Sequence, residues 1–98
     1  MEKNDIVTVV TISGEYVGKL SDNDGGQITL SDPRMILSNP ETGQMGFAKG
    51  IAVTGVENPK EVTFISVVFV TPANATVSTA WQEATSQIVT PNKPTLVK

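Results

Sequence analysis

The ten residues Glu61-Val62-Thr63-Phe64-Ile65-Ser66-Val67-Val68-Phe69-Val70 constrain this chain more than any other stretch. Val, Ile, Thr and Phe suit a pleated strand, and the β-branched ones lose rotamer freedom in a helix. Polar and apolar residues alternate from Glu61 to Phe64, the pattern of a strand wet on one face. From Ile65 to Val70 every residue but Ser66 is apolar. A strand that is apolar on both faces is covered on both faces. The whole chain has 98 residues, enough for one domain with a modest core. One copy has little material with which to cover such a run. The run therefore predicts a subunit interface through Val62, Phe64, Val67, Val68, Phe69 and Val70, with Ser66 as a corner between two short strands.

The other elements follow from periodicity and breakers. Residues 6–13 contain five Val or Ile and two Thr, a strand signal. Ser13-Gly14 then reads as a tight hairpin into a second strand that carries Gly18, a residue type that marks a bulge or sharp bend inside a strand. Ser21 to Gly26 holds no apolar residue and reads as a turn. Gln27-Ile28-Thr29-Leu30 follows as a third strand, its far end marked by Asp32-Pro33 and Asn39-Pro40. Met35, Ile36 and Leu37 read as an extended segment tied to the core. Residues 38–50 read as a long loop, and Gly50 to Gly55 as a weak strand. Beyond Pro72, Asn74 is a helix N-cap. Val77, Ala80, Trp81, Ala84 and Ile88 then share one helical face. The expected plan is a single domain over 1–98: a β unit at about 5–72, a helix at about 75–89 and a tail at 90–98.

Composition removes several functions. The chain has no Cys and no His, so disulfides, thiol or imidazole nucleophiles and Cys/His metal sites are excluded. No enzyme activity, cofactor or metal is expected. Asp22-Asn23-Asp24 has the opening spacing of a calcium loop, but the bidentate Glu that must follow is missing. The N-terminus is polar and unlike a secretory signal, and no apolar run reaches the roughly 20 residues that span a bilayer. A soluble, cytoplasmic protein without membrane partners is expected. The net charge is −3, with seven Lys plus Arg. That balance opposes tight binding to duplexes, which needs clustered cations.

The succession Gly14, Gly18, Leu20, Asp24, Gln27, Ile28 and Leu30 resembles the first motif of the Sm-like family: a turn glycine, a strand glycine, an apolar residue two further on, an acid at a turn, and an amide entering an apolar strand. The resemblance covers roughly residues 6–32 and extends loosely to 61–70. It is closest to divergent, phage-type members. The Arg-Gly or Lys-Gly of the family's second motif is replaced by Ile65-Ser66-Val67, and the helix lies at the C-terminal rather than the N-terminal end. The resemblance implies a small, strongly bent five-stranded barrel of the SH3-like kind with a C-terminal helix. It also implies a homo-oligomeric ring of roughly five to seven subunits, joined strand to strand.

Such a ring is expected to bind single-stranded nucleic acid, RNA first, without catalysis. Asp24 and Gln27 are the candidates for polar contacts, and Lys19, Arg34 and Lys49 for phosphates. Each has a plainer alternative: an ordinary solvated turn, a surface amide on a strand, and scattered solubilising charge. The alternative function is a structural or virion-associated assembly that uses the ring with no nucleic acid.

Overall fold

β-branched residues and a two-residue turn start the fold. Ile6–Thr11 forms β1, and Gly14–Asp24 forms β2. The two pair antiparallel from Ile6↔Lys19 to Thr11↔Gly14, with Ile12-Ser13 as the connection. β3 (Gln27–Ser38) follows, then β4 (Met45–Phe47), β5 (Glu61–Phe64), β6 (Phe69–Pro72) and one helix, α1 (Ala75–Thr85). The coordinates are a computed structural model and describe residues 1–48, 50–52 and 54–85.

All ladders are antiparallel, and their order is β4-β3-β2-β1-β6. β3 is long enough to take two partners along the edge not paired with β2. Its first half pairs with β5 through Ile28↔Phe64 to Ser31↔Glu61. Its far half pairs with β4 through Ile36↔Phe47 to Ser38↔Met45. The architecture is mainly β with a C-terminal helix. Six strands form rather than five, and among the described residues no ladder joins β5 to β6. The sheet is therefore open where a barrel would close.

The sheet nevertheless wraps around one core. Val7 and Val9 of β1, Tyr16 and Leu20 of β2, Ile28 and Leu30 of β3, and Phe64 of β5 form a single buried cluster. The Tyr16 and Phe64 rings meet at a centroid distance of 4.8 Å and a tilt of 46°. Aromatic pairs favour such tilted contacts over face-to-face stacking. Tyr16 keeps its hydroxyl satisfied by Ser13 Oγ at 3.1 Å. β1 lies between β2 and β6, and Val7, Thr8 and Val9 in succession are buried, so this strand is covered on both faces.

A bulge bends the middle of the sheet. Val17 pairs with Arg34 and Lys19 with Ser31, so Asp32 and Pro33 together stand opposite Gly18. Pro33 has no N–H to give a ladder and is tolerated at a bulge. Asp32 takes a positive φ of 50°, which aspartate adopts more readily than most residues. Gly18 is required by space: a Cβ there would lie 3.0 Å from Leu30 Cβ and 3.1 Å from the Ser31 carbonyl oxygen. Gly18→Ala is expected to cost about 1–3 kcal/mol through overpacking, read as a lower urea midpoint at constant slope.

Four expectations need correction. The turn expected over Ser21–Gly26 is only Gly25-Gly26, because β2 runs on to Asp24 and pairs through Asp24↔Gln27. Of the two markers at the far end of the third strand, Asp32-Pro33 does not interrupt it, because the bulge lets β3 continue to Ser38, directly before Asn39-Pro40. The expected loop at 38–50 contains β4, while the described residues of 50–55 form no strand. That segment instead turns back through the Gly50↔Glu57 bridge and the Gly55 N–H to Ala52 carbonyl bond.

The long apolar run breaks at Ser66 (φ 61°) into β5 and β6, the corner the sequence suggests. The helix starts at its expected cap, where Asn74 Oδ1 accepts the Val77 N–H at 2.8 Å. Its buried residue is Trp81, 4% exposed. Ile88 and the tail lie outside the described residues.

Candidate functional site

The β2–β3 hairpin ends in a two-residue turn with both glycines at positive φ, 55° at Gly25 and 97° at Gly26. That geometry suits the right-handed twist of the flanking strands and is costly for other residues. Added Cβ atoms there would meet nothing, so conformation, not crowding, selects glycine. The turn places Asp24 and Gln27 directly across from each other, both exposed. Asp22 and Asn23 precede them, also exposed, with Asp22 Oδ1 accepting the Asn23 N–H at 3.0 Å.

The expected cations are not gathered at this tip. Lys19 is half-buried on β2, between Ile6 of β1 and Ser31 of β3. Five residues of strand separate it from Asp24, a distance of about 16 Å at the usual strand rise. Arg34 lies further along β3 and is only 8% exposed. Its Nη1 donates to the Pro33 carbonyl oxygen at 3.0 Å. Burial pulls the Arg34 pKa down from the ordinary arginine value, while the nearby Asp32 charge acts in the opposite direction. Arg34 is thus mainly a structural side chain of the bulge. Lys49 lies outside the described residues. Among the described candidates, then, only Asp24 and Gln27 are brought together within one chain.

The residues of the apolar run separate into two groups. Phe64 belongs to the core, and Val62, Val67 and Val70 are partly buried against it. Val68 and Phe69 face solvent, 58% and 53% exposed. Ile65 and Ile12 join them as exposed apolar side chains. Neither was singled out from the sequence. The available signal for Ile65 was its position beside the Ser66 corner, where a side chain leaves the core. For Ile12 it was a large apolar residue inside a hairpin turn. Val68 N–H donates to the Val10 carbonyl at 2.8 Å, and Phe69 pairs with Val10. The exposed side chains are therefore set on backbone that is fixed to the sheet.

Two strand edges complete the picture. Among the described residues β6 is paired to β1 alone and β5 to β3 alone. From Val62 to Gln82 the sequence contains no ionisable residue. Edge strands in isolated domains are commonly shielded by charge, by bulges or by covering segments. β6 has no charge on it, and of these devices carries only Pro72 at its end.

An apolar groove of about 160 Å³ lies between α1 and the β3–β4 arm, lined by Ile36, Met45, Phe47, Val77 and Ala80 among others. It has no titratable group on its walls and thus offers no acid–base chemistry. Among the described residues no group of three or more Asp or Glu is placed to hold a metal ion. No described helix is long and apolar enough to cross a membrane. No protein-family model matches the chain, and no curated protein matches it.

Proposed function

We infer that this chain is a non-catalytic, Sm-like subunit that works as a homo-oligomeric ring, and that the ring holds single-stranded nucleic acid, RNA first. The observation that carries the reading is that, among the described residues, β5 is paired only to β3 and β6 only to β1, with β4 a third one-sided edge further along β3. An edge of four residues on one copy meets an edge of four residues on the next. Head-to-tail contacts of this kind close into rings when the rotation per subunit fits. Pairing satisfies the free backbone groups and covers Ile65, Val68 and Phe69 with apolar surface. The bend at Gly18 and the bulge opposite it support the barrel reading, because they curl β2 and β3 around a shared core.

Assembly also supplies what one chain lacks. Repetition brings several Asp24–Gln27 tips and several copies of Lys19 into one array. Gln27 offers both donors and acceptors to a base edge. With a net charge of −3 per chain, affinity is weak and falls steeply with salt.

A second reading keeps the ring and drops the nucleic acid, leaving a structural or virion-associated assembly. The burial of Arg34 favours it. Two measurements test the proposals. Native mass spectrometry at micromolar concentration is expected to give one closed oligomer, and a monomer defeats both readings. Filter binding with uridine-rich and adenine-rich oligomers is expected to show retention at low salt that vanishes as salt rises. A ring with no retention at low salt selects the structural reading.

A further inference from the structure

Asp32 is a junction between three elements. Its backbone carbonyl accepts the Trp81 indole N–H from α1 at 2.8 Å. Its backbone N–H donates to the Lys60 carbonyl at 2.7 Å, one residue before β5 begins. The residue itself forms part of the β3 bulge, at a φ of 50°. A positive φ at a non-glycine residue is held in place by its surroundings. Here the two hydrogen bonds supply that hold from opposite sides.

The same peptide units therefore position both the helix and the start of an interface strand. Trp81 is the buried residue of α1 and is only 4% exposed. Its N–H is a donor that a buried indole normally satisfies. If the indole leaves, the Asp32 carbonyl loses its partner and the bulge is free to relax toward ordinary strand geometry. Such relaxation turns the Asp32 N–H away from Lys60. β5 has only four residues on its ladder, so loss of its first anchor frays a large part of it.

We propose that the Trp81–Asp32–Lys60 chain is a latch through which docking of α1 sets the β5 edge for pairing with a second copy of this chain. The proposal rests on the ring reading and adds its control element. Trp81 acts as a positioning residue, away from the edge it orders. A partner that lifts α1 from the sheet would thereby loosen the ring, and one that clamps α1 would tighten it.

The test compares wild type, Trp81→Phe, Asp32→Val and Asp32→Asn in the full chain. Trp81→Phe keeps most of the apolar ring and removes the N–H. Valine disfavours positive φ, whereas asparagine accepts it. Hydrogen exchange is read first, under conditions where each variant is folded by circular dichroism. Exchange of the β5 amides is expected to rise about tenfold in Trp81→Phe and Asp32→Val, the scale of one lost hydrogen bond to a buried group, while β1 and β2 amides keep their protection. Asp32→Asn is expected to behave as wild type. Dilution followed by native mass spectrometry then reads assembly, and the concentration of half-dissociation is expected to rise at least about tenfold in the same two variants. If Trp81→Phe does not fold, Asp32→Val against Asp32→Asn carries both readings. Wild-type exchange at β5 in folded Asp32→Val overturns the latch, as does unchanged dissociation of an oligomeric variant. A monomeric wild type overturns the ring itself, and the latch as a control of assembly falls with it.

Discussion

Val68→Glu combined with Phe69→Glu is expected to leave a folded monomer in place of the ring proposed for the wild-type chain. Both side chains are more than half exposed, so their loss removes little from the core. Their backbone remains fixed, because Val68 and Phe69 bond to and pair with Val10 whatever side chains they carry. Two carboxylates on an otherwise uncharged edge must be desolvated when a neighbouring strand approaches. Burying an unpaired charge costs several kcal/mol, and the cost recurs at every interface of a symmetric ring. Native mass spectrometry is expected to shift wholly to monomer at micromolar concentration, with the far-ultraviolet circular dichroism unchanged. An intact oligomer in this variant would place the interface elsewhere.

Leu30→Ala is expected to produce the largest loss of stability of any single substitution in the core. Leu30 is 0% exposed, the largest of the fully buried side chains. It sits where β2, β3 and β5 converge, paired with Leu20 on one side and Val62 on the other. A Leu→Ala change at such a site costs about 2–5 kcal/mol through lost transfer energy and the cavity left behind. Small domains have roughly 5–15 kcal/mol in total, so the urea midpoint is expected to fall by a large fraction. Because assembly adds stability by mass action, wild type and variant are compared at one protein concentration. A midpoint within experimental error of wild type would mean that the core is not organised around β3.

What could be read from residue order was whatever local chemistry enforces. β-branched runs marked β1 and β5, Gly18 marked the close approach to Leu30, and Asn74 marked the helix start. Each depends on a contact or torsion within a few residues or on an unmistakable breaker. The long hairpin was harder to see. Asp22, Asn23 and Asp24 look like a turn because both of their faces are solvated. They form strand because the two glycines beyond them set a tight reversal that carries the ladder to its end. β4 was hidden for another reason: Met45-Gly46-Phe47 has no β-branched residue, and its strand state comes from pairing with Ile36 to Ser38. Pro33 concealed the continuity of β3, since a proline normally closes a strand and only the bulge accommodates it.

The candidate site divides along the same line. The family resemblance points to Asp24 and Gln27, but that they face each other across Gly25-Gly26 emerges only from the ladder, because Ser21–Gly26 reads as one turn. Arg34 was placed among solvent-facing cations because nothing near it in sequence announces its burial. The division of the apolar run into core and edge was equally invisible, because Phe64 and Phe69 differ in direction and not in type.

The unguarded β6 edge has a consequence for how the protein must be made. In the proposed assembly, a newly folded copy that has not met its neighbour offers an edge neutral and uncovered among the described residues to any extended peptide nearby. Correct closure thus races against sticking to unfinished chains, and the outcome depends on how quickly copies accumulate. Slow, synchronous synthesis at low temperature should favour soluble product, whereas rapid accumulation should favour insoluble β-rich deposits.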